Sequence, residues 1–415
     1  MSETPGSGSG LLLPLLAGVP ADVDVAVVRQ GRQWVVGVGA DAVVVTGGTD
    51  AFSDLDGLPA GWWAGVQSYD LGRSVERITP RRPDDLGVPD VVLARFGTRL
   101  RIDGTSWTVE GDKTAATGTL ARLASRASGR RGSFRRGEGC ERWSSSLSQD
   151  EFEAGVRAVV ALVEAGECYQ VNLTRRLTCA EPADPVALFG ALTVHNPAPH
   201  AALVRIGGTA VVSASPERFL RRRGAVVETR PIKGTAVAAG TLRASTKDRA
   251  ENVMICDLAR NDLGRVCDFG SVRVPELCAL EAHPGLWHLV STVTGRLSPG
   301  VGLGALARAT FPPASVTGAP KPRVLDVIED LEPVRRGVYC GAVGWIDADR
   351  HHADLAVAIR TFLVTPSATH LGVGAGITAD SSPAAEWAET NLKASRLLAA
   401  AGLAGRRSPA LRAAT

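Results

Sequence analysis

The chain has 415 residues, 45% of them hydrophobic, and a formal net charge of +3 at pH 7. That length suits two or three units or one large body, and the apolar fraction allows an extensive core. So small a charge argues against nucleic acid as a partner, and no apolar run approaches the roughly 18 residues of a membrane span, so neither nucleic acid nor membrane is expected.

Residues 2–10 are rich in Gly and Ser, and 1–12 is expected to be a disordered tail lacking the basic start of a signal peptide. Short Val- and Ala-rich runs broken by Gly and Asp follow at 23–28, 34–38, 42–45, 91–94 and 106–109. They predict a β-rich N-terminal region over 13–135 that packs on the core. Residues 126–145, basic and Ser-containing, read as a surface connection. Ser148 followed by Glu151 is a capping-box signature ahead of Phe152, Val156 and Val159, and predicts a helix over 149–164. From 145 to 403 the pattern mixes elements. Strands are expected at 169–177, 202–206, 210–213, 218–221, 225–229, 338–346, 353–361 and 369–373. Helices are expected at 185–195, 246–262, 302–309, 320–333 and 384–401, and 404–415 reads as a tail. Consecutive strands without helices between them favour antiparallel sheets, hence an α+β fold. The seven cysteines are odd in number and form no CxxC, which reads as free thiols in a reducing cytoplasm.

Only five of the 46 basic residues are lysines, namely Lys113, Lys233, Lys247, Lys321 and Lys393. Lys233 lies between Ile232 and Gly234; Pro231 stiffens the approach and Gly234 lets another group come close. Two readings stand: a surface lysine, or a nucleophile with a lowered pKa, since only the neutral amine attacks. Glu217, ahead of the strand 218–221, is a turn residue or a general acid. Glu251, Met254, Ile255 and Leu258 share one helical face, with Asp248 on the same side. Glu386 and Glu389 are neighbours on the last helix. These four acids are either charges suited to helix N-termini or oxygen donors for a hard divalent cation such as Mg²⁺. His288, in an apolar run, is a core histidine or a site residue. The glycine-rich 372–378 offers backbone N–H groups to an anion.

The segments SYDLGRSVE (68–76), CYQVNL (168–173), SPERF (215–219), RPIKGT (230–235) and KDRAENVMICDLARNDLGRVC (247–267) come in that order. HLVSTVTG (288–295), SVTGAPK (315–321), YCGAVGW (339–345), AIRT (358–361), GAGIT (374–378) and EWAETNLKA (386–394) follow. Together they resemble the chorismate-utilising enzymes, and within them the aminodeoxychorismate synthase branch that leads to para-aminobenzoate and folate. The resemblance implies a sandwich of two large, mainly antiparallel sheets with flanking helices, like anthranilate synthase component I, with the active site between the sheets. It implies Mg²⁺ held by Glu251 and Glu389, with Asp248 and Glu386 holding metal-bound waters. Arg360 and Tyr339 would contact a substrate carboxylate, Gly374, Ala375 and Gly376 would form a backbone cradle, and His288 and Thr317 would lie near the reacting ring. Gln170 and Lys393 complete the substrate-binding set. Isochorismate and salicylate synthases carry a lysine base where Gln170 stands, which argues against addition of water. Anthranilate synthases have Ala where Lys233 stands, whereas the para-aminobenzoate enzymes share PIKGT.

The implied reaction is amination of chorismate at C4, with Lys233 as covalent nucleophile and Glu217 as acid. Its ammonia would come from a separate glutamine amidotransferase subunit, because no Cys-His-Glu amidotransferase pattern is visible. One departure stands out: Phe311-Pro312-Pro313-Ala314 replaces the family's usual Phe-Pro-Gly-Gly. The competing expectations are anthranilate synthase component I, another amino-chorismate synthase of secondary metabolism, and a non-catalytic chorismate-binding subunit.

Overall fold

The computed structural model describes residues 10–76, 78–111, 115–128, 142–283 and 285–403. The Val- and Ala-rich runs form strands buried on both faces. In Val25–Gln30, Val25 and Val27 pack outward under helices, while Ala26 and Val28 pack inward against a second sheet. Burial on both sides explains why these runs are continuously apolar rather than alternating.

Two antiparallel sheets result. The first runs Gly318–Ala319, Gln170–Cys179, Thr369–Ile377, Thr361–Val364, Thr209–Ser215, His200–Ile206, Val25–Gln30, Gln33–Val38, Thr98–Asp103 and Ser106–Gly111, with Ser144–Ser145 beside Gln170–Cys179. The second runs Ile232–Ala236, Leu286–Arg296, Val226–Arg230, Arg218–Arg223, His352–Val357, Ala342–Asp347, Trp62–Gln67, Val91–Arg95 and Ala42–Thr46, with Arg273–His283 also paired to Leu286–Arg296. Val28, Val35, Ala202 and Val204 of the first sheet meet Trp62, Ala64, Val66 and Ala94 of the second in one buried cluster. Helices Leu12–Leu16, Ala115–Ser128, Pro185–His195 and Pro383–Leu403 cover the first sheet. Asp50–Asp56, Thr246–Gly264 and Leu303–Thr310 cover the second. Gln149–Glu164 and Lys321–Leu331 close the end at Gln170–Cys179. This is the α+β sandwich expected from the sequence. Among the described residues no helix is long and apolar enough to cross a membrane. Cys168, Cys179, Cys256, Cys267, Cys278 and Cys340 are free.

Several local expectations change. Residues 13–135, expected as a region packed on the core, supply strands to both sheets: Val25–Gln30 pairs with His200–Ile206, and Trp62–Gln67 with Ala342–Asp347. Leu11 and Leu12 are buried in the core, so the end of the stretch 1–12 expected as a tail is packed. Residues 1–9 and 404–415 lie outside the described residues, as does most of the 126–145 connection. The helix Gln149–Glu164 carries both halves of the capping box. The single strand expected over 353–361 is two strands, His352–Val357 in the second sheet and Thr361–Val364 in the first. Arg360, at φ 52°, makes the break, and apolar periodicity carries no sign of such a turn.

Candidate active site

The chain changes sheets twice at one place. Thr209–Ser215 belongs to the first sheet and Arg218–Arg223 to the second, so Glu217 sits on the crossing. His352–Val357 and Thr361–Val364 make the opposite crossing through Arg360. The two crossings are hydrogen-bonded to each other: Val357 N–H donates to the Glu217 carbonyl at 3.0 Å, and Ala214 N–H to the Arg360 carbonyl at 3.0 Å. Ser213 and Thr361 hydroxyls bond at 2.8 Å between them. The fold thereby holds an acid and a guanidinium between the sheets. Arg360 makes no ion pair among the described residues, and burial holds its pKa below the usual arginine value. An Arg fork without a carboxylate is suited to receive one from a ligand.

Lys233 enters from the edge strand of the second sheet. Ile232 pairs with Val290 and Thr235 with His288, so the segment has one residue more than its partner, and Lys233 and Gly234 form a bulge. A bulge re-aims its side chain. Gly234, at φ 87°, permits it, and its missing Cβ leaves room for Asp248, whose Cβ is 3.0 Å from where that atom would be. The close approach expected of Gly234 is therefore made by an acid of the helix Thr246–Gly264. Desolvation lowers the Lys233 pKa, opposed by Glu251 and then assisted by Lys393. Across the gap, a Cβ on Gly376 would lie 2.6 Å from Gln170 Nε2 and 3.3 Å from Lys233 Nζ. The two sheets thus bring Lys233, Gln170 and Gly376 to one point. Both amide atoms of Gln170 are buried without a partner among the described residues, an arrangement that costs about 1–3 kcal/mol unless a ligand or water satisfies it.

Glu217 is 3% exposed, and burial pushes its carboxyl up to about 7, against the pull of Ser315 and Lys233. His288 is 1% exposed, with Nδ1 2.8 Å from Thr235 Oγ1. Burial, then His283 and Arg360, lowers its pKa to about 4, so it is a neutral imidazole at pH 7. Thr317 is fully buried: it accepts from the Tyr69 hydroxyl at 3.2 Å and donates to the Pro313 carbonyl at 2.9 Å, which commits its own proton to the loop. Pro313 and Ala314, the departure from Phe-Pro-Gly-Gly, lie in this loop, and Ala314 starts a short 3₁₀ turn. Tyr339 lays its ring on Gly372, where a Cβ would come within 2.1 Å of the ring. Burial raises its phenol pKa well above the usual value, so it stays a donor. Gly374, Ala375 and Gly376 lie in Thr369–Ile377, which beyond Leu371 pairs, among the described residues, only with Gln170–Cys179 and so leaves its other edge open to a ligand. Lys393 Nζ donates to the Gly374 carbonyl at 3.0 Å.

The acids come from two helices on opposite sheets. Thr246–Gly264 is capped by Ser245, whose side chain accepts from Asp248 N–H at 3.1 Å. It is fixed by Asn252 Nδ2 donating to the Leu289 carbonyl at 2.9 Å. Its buried face centres on Asn252, Ile255, Cys256 and Ala259, which leaves Glu251 at the rim rather than on the stripe as expected. Pro383–Leu403 is fixed by Arg175, which lies 4.1 Å over the Trp387 ring and donates to Thr390 and Asn391. Burial raises Glu251, with further upward pressure from Asp248 and Glu386; burial and Glu389 raise Glu386. Glu389 pairs with Lys393 at 2.6 Å, and Lys247 lies 4.0 Å from Glu251. Among the described residues no three acid, His or Cys side chains stand close enough to hold an ion. The donor chemistry nevertheless fits a hard cation: four carboxylates on facing helices repel one another, and Glu389 would leave its lysine to join.

Three residues of this site had no role assigned from sequence. Tyr69 holds Thr317. Arg336 stacks 4.4 Å over Tyr69, pairs with buried Glu332 at 2.6 Å and donates to the Val316 and Asn172 carbonyls. The spacing of Glu332 and Arg336, one helical turn, was the available signal, although they lie beyond the helix.

The chain matches the sequence profile of the chorismate binding enzymes over residues 39–399. It is 39% identical over 348 residues to aminodeoxychorismate synthase component 1 of Klebsiella aerogenes, covering 80% of this chain and 76% of that one. It is 38% identical over 360 residues to anthranilate synthase component 1 of Thermus thermophilus, covering 82% and 77%. Among solved structures, anthranilate synthase component I from Streptococcus pneumoniae superposes with a TM-score of 0.77 at 26% identity, covering 88% of this chain and 92% of that one. Crossed sheets that hold Glu217, Arg360 and Lys233 together, and a profile spanning most of the sequence, lead to one conclusion: the chain belongs to the chorismate binding enzyme family.

Proposed function

We propose that the chain is the first component of an aminodeoxychorismate synthase and aminates chorismate at C4, with Lys233 as covalent nucleophile. The observation that carries this reading is a desolvated lysine turned inward by a bulge, beside an unpaired buried amide and an acid raised to about 7. Arg360 and Tyr339 would receive a substrate carboxylate, with the open edge at Gly374, Ala375 and Gly376 behind it. The neutral Lys233 amine bonds to C2 while both ring double bonds shift, to C1–C6 and C4–C5, and the C4 hydroxyl leaves as water with the Glu217 proton. Ammonia then bonds to C4, the two double bonds return, and the C2–N bond breaks with its electrons going to lysine. The new ammonium returns one proton to Glu217, so the acid ends as it began. Neutral His288 can hydrogen-bond near the ring but carries no charge there. Held by Glu251 and Glu389, with Asp248 and Glu386 on its waters, Mg²⁺ would supply positive charge for a substrate carboxylate.

The test is the purified chain with chorismate, Mg²⁺ and ammonium chloride, with the product identified by mass and ultraviolet spectrum. The expected product is non-aromatic 4-amino-4-deoxychorismate, lost or redirected in Lys233→Ala. Glutamine should serve only after a glutaminase subunit is added. The similarity to the Thermus thermophilus anthranilate synthase component 1 favours one competing outcome: aromatic anthranilate with pyruvate release would move the chain to that activity. No turnover at all would overturn the enzymatic reading.

A further inference from the structure

The hairpin of Arg273–His283 and Leu286–Arg296 carries a side chain that the reaction above does not use. His283 stands edge-on to His288, with ring centroids 4.7 Å apart and planes at 72°. On its other side, His283 Nε2 lies 3.9 Å from a Glu281 carboxylate oxygen, and Glu281 is bound by Arg230. Arg230 also donates from Nε to Thr292 Oγ1 at 3.2 Å. His288 completes the chain through its 2.8 Å contact with Thr235. The contacts therefore start at Arg230 and end at Thr235, the two ends of the six-residue segment that carries Lys233 at its bulge.

The His288 imidazole meets the Thr235 hydroxyl and the Gly234 backbone, both on the bulged segment, and those contacts alone leave it a soft torsion about Cβ–Cγ. Packing an aromatic edge against it removes that freedom, because the ring quadrupole favours the T-shaped arrangement. Glu281 and Arg230 fix His283 in turn.

We infer that His283 is a positioning residue: by its edge-on contact it fixes the His288 ring and, through Thr235, the bulged segment bearing Lys233. It acts through His288 and does not touch the substrate, and its catalytic consequence rests on the amination reading above.

The experiment compares His283→Ala with His283→Phe in the full chain, using chorismate and ammonium turnover together with ¹⁵N spectra of the imidazoles. The His288 signals are assigned from a His288→Gln variant. His283→Ala should lower kcat about three- to tenfold, leave KM for chorismate within about twofold, and shift or broaden the His288 signals. His283→Phe keeps an aromatic edge and should restore kcat and the His288 signals. If His283→Ala does not fold, His283→Leu, which fills the volume without an aromatic edge, takes its place. Wild-type kcat and unmoved His288 signals in the ring-less variant overturn the inference, as does failure of His283→Phe to restore them. If the wild-type chain does not aminate chorismate, the functional reading falls alone, because the spectra still decide whether His283 holds His288.

Discussion

Burial at Glu217 sets stability and chemistry together. Its carboxyl would titrate at 4.5 in the unfolded chain and titrates at about 7 in the folded one. Between those values the folded state holds a proton that the unfolded state lacks, so the contribution of this group is fully present below 4.5 and is lost as pH rises through 7. Glu217→Gln removes that loss. The variant should be more stable than the parent at pH 8 by up to about 3 kcal/mol, with the advantage vanishing near pH 4.5, while amination falls about 10²–10⁴-fold. Denaturant melts at several pH values read the first effect, and identical pH slopes for the two proteins would exclude a titration near 7. Gly376 makes a second case. A methyl there would meet Gln170 Nε2 at 2.6 Å and Lys233 Nζ at 3.3 Å. Gly376→Ala should therefore cut kcat about tenfold or more through displacement of reacting groups, with little change in melting temperature. From sequence, Lys233 was singled out by its scarcity and its motif, and Gly376 as part of an anion cradle. The steric reason for Gly376 was not legible, because Gln170 and Lys233 reach it from strands more than 60 residues apart, in different sheets.

At the scale of elements, most helices and strands were readable, because capping residues and apolar runs are local signals. Ser148 with Glu151 fixed one helix start, and both bonds of that box are present. The break at Arg360 was not readable, since a residue at φ 52° held by long-range pairing leaves no periodic trace. Lys321 shows the same division. It stood out as one of five lysines, but its partner did not: Nζ lies 2.6 Å from Asp262 and donates to the Thr310 carbonyl at 3.0 Å, both charged groups being buried. This pair ties the C-terminal turn of the Glu251 helix to the start of Lys321–Leu331. Lys321→Met should destabilise the protein by about 3–5 kcal/mol, because it strands a buried carboxylate. Adding Asp262→Asn should recover most of the loss. Equal melts for the single and double variants would mean that the pair is not coupled.

For the whole molecule, consecutive strands announced antiparallel sheets, but not that the N-terminal strands extend both of them. Pairing of Val25–Gln30 with His200–Ile206 joins residues as far apart in the chain as Val25 and Arg205, and no local pattern encodes it. The consequence is a sandwich whose two halves each bring one acidic helix, Thr246–Gly264 from the second sheet and Pro383–Leu403 from the first. Without a cation, burial and then the neighbouring acids raise the Glu251 and Glu386 carboxyls, and Glu389 holds Lys393 instead. A ligand that binds only the folded state stabilises it by about 2.7 kcal/mol at a hundredfold excess over its Kd. Mg²⁺ should therefore raise the melting temperature by a few degrees, and by more when chorismate is present to occupy its open positions. Glu251→Gln should do two things at once: raise the melting temperature of the metal-free protein, because a carboxylate charge penalised by burial is gone, and abolish the Mg²⁺-dependent increment. Glu389→Gln should also abolish the increment but leave the metal-free protein nearly unchanged, since its carboxylate is half exposed and already paired with Lys393. A wild-type melt indifferent to Mg²⁺ would sink the four-acid site, whereas an increment that survives both substitutions would move the ion elsewhere in the sandwich.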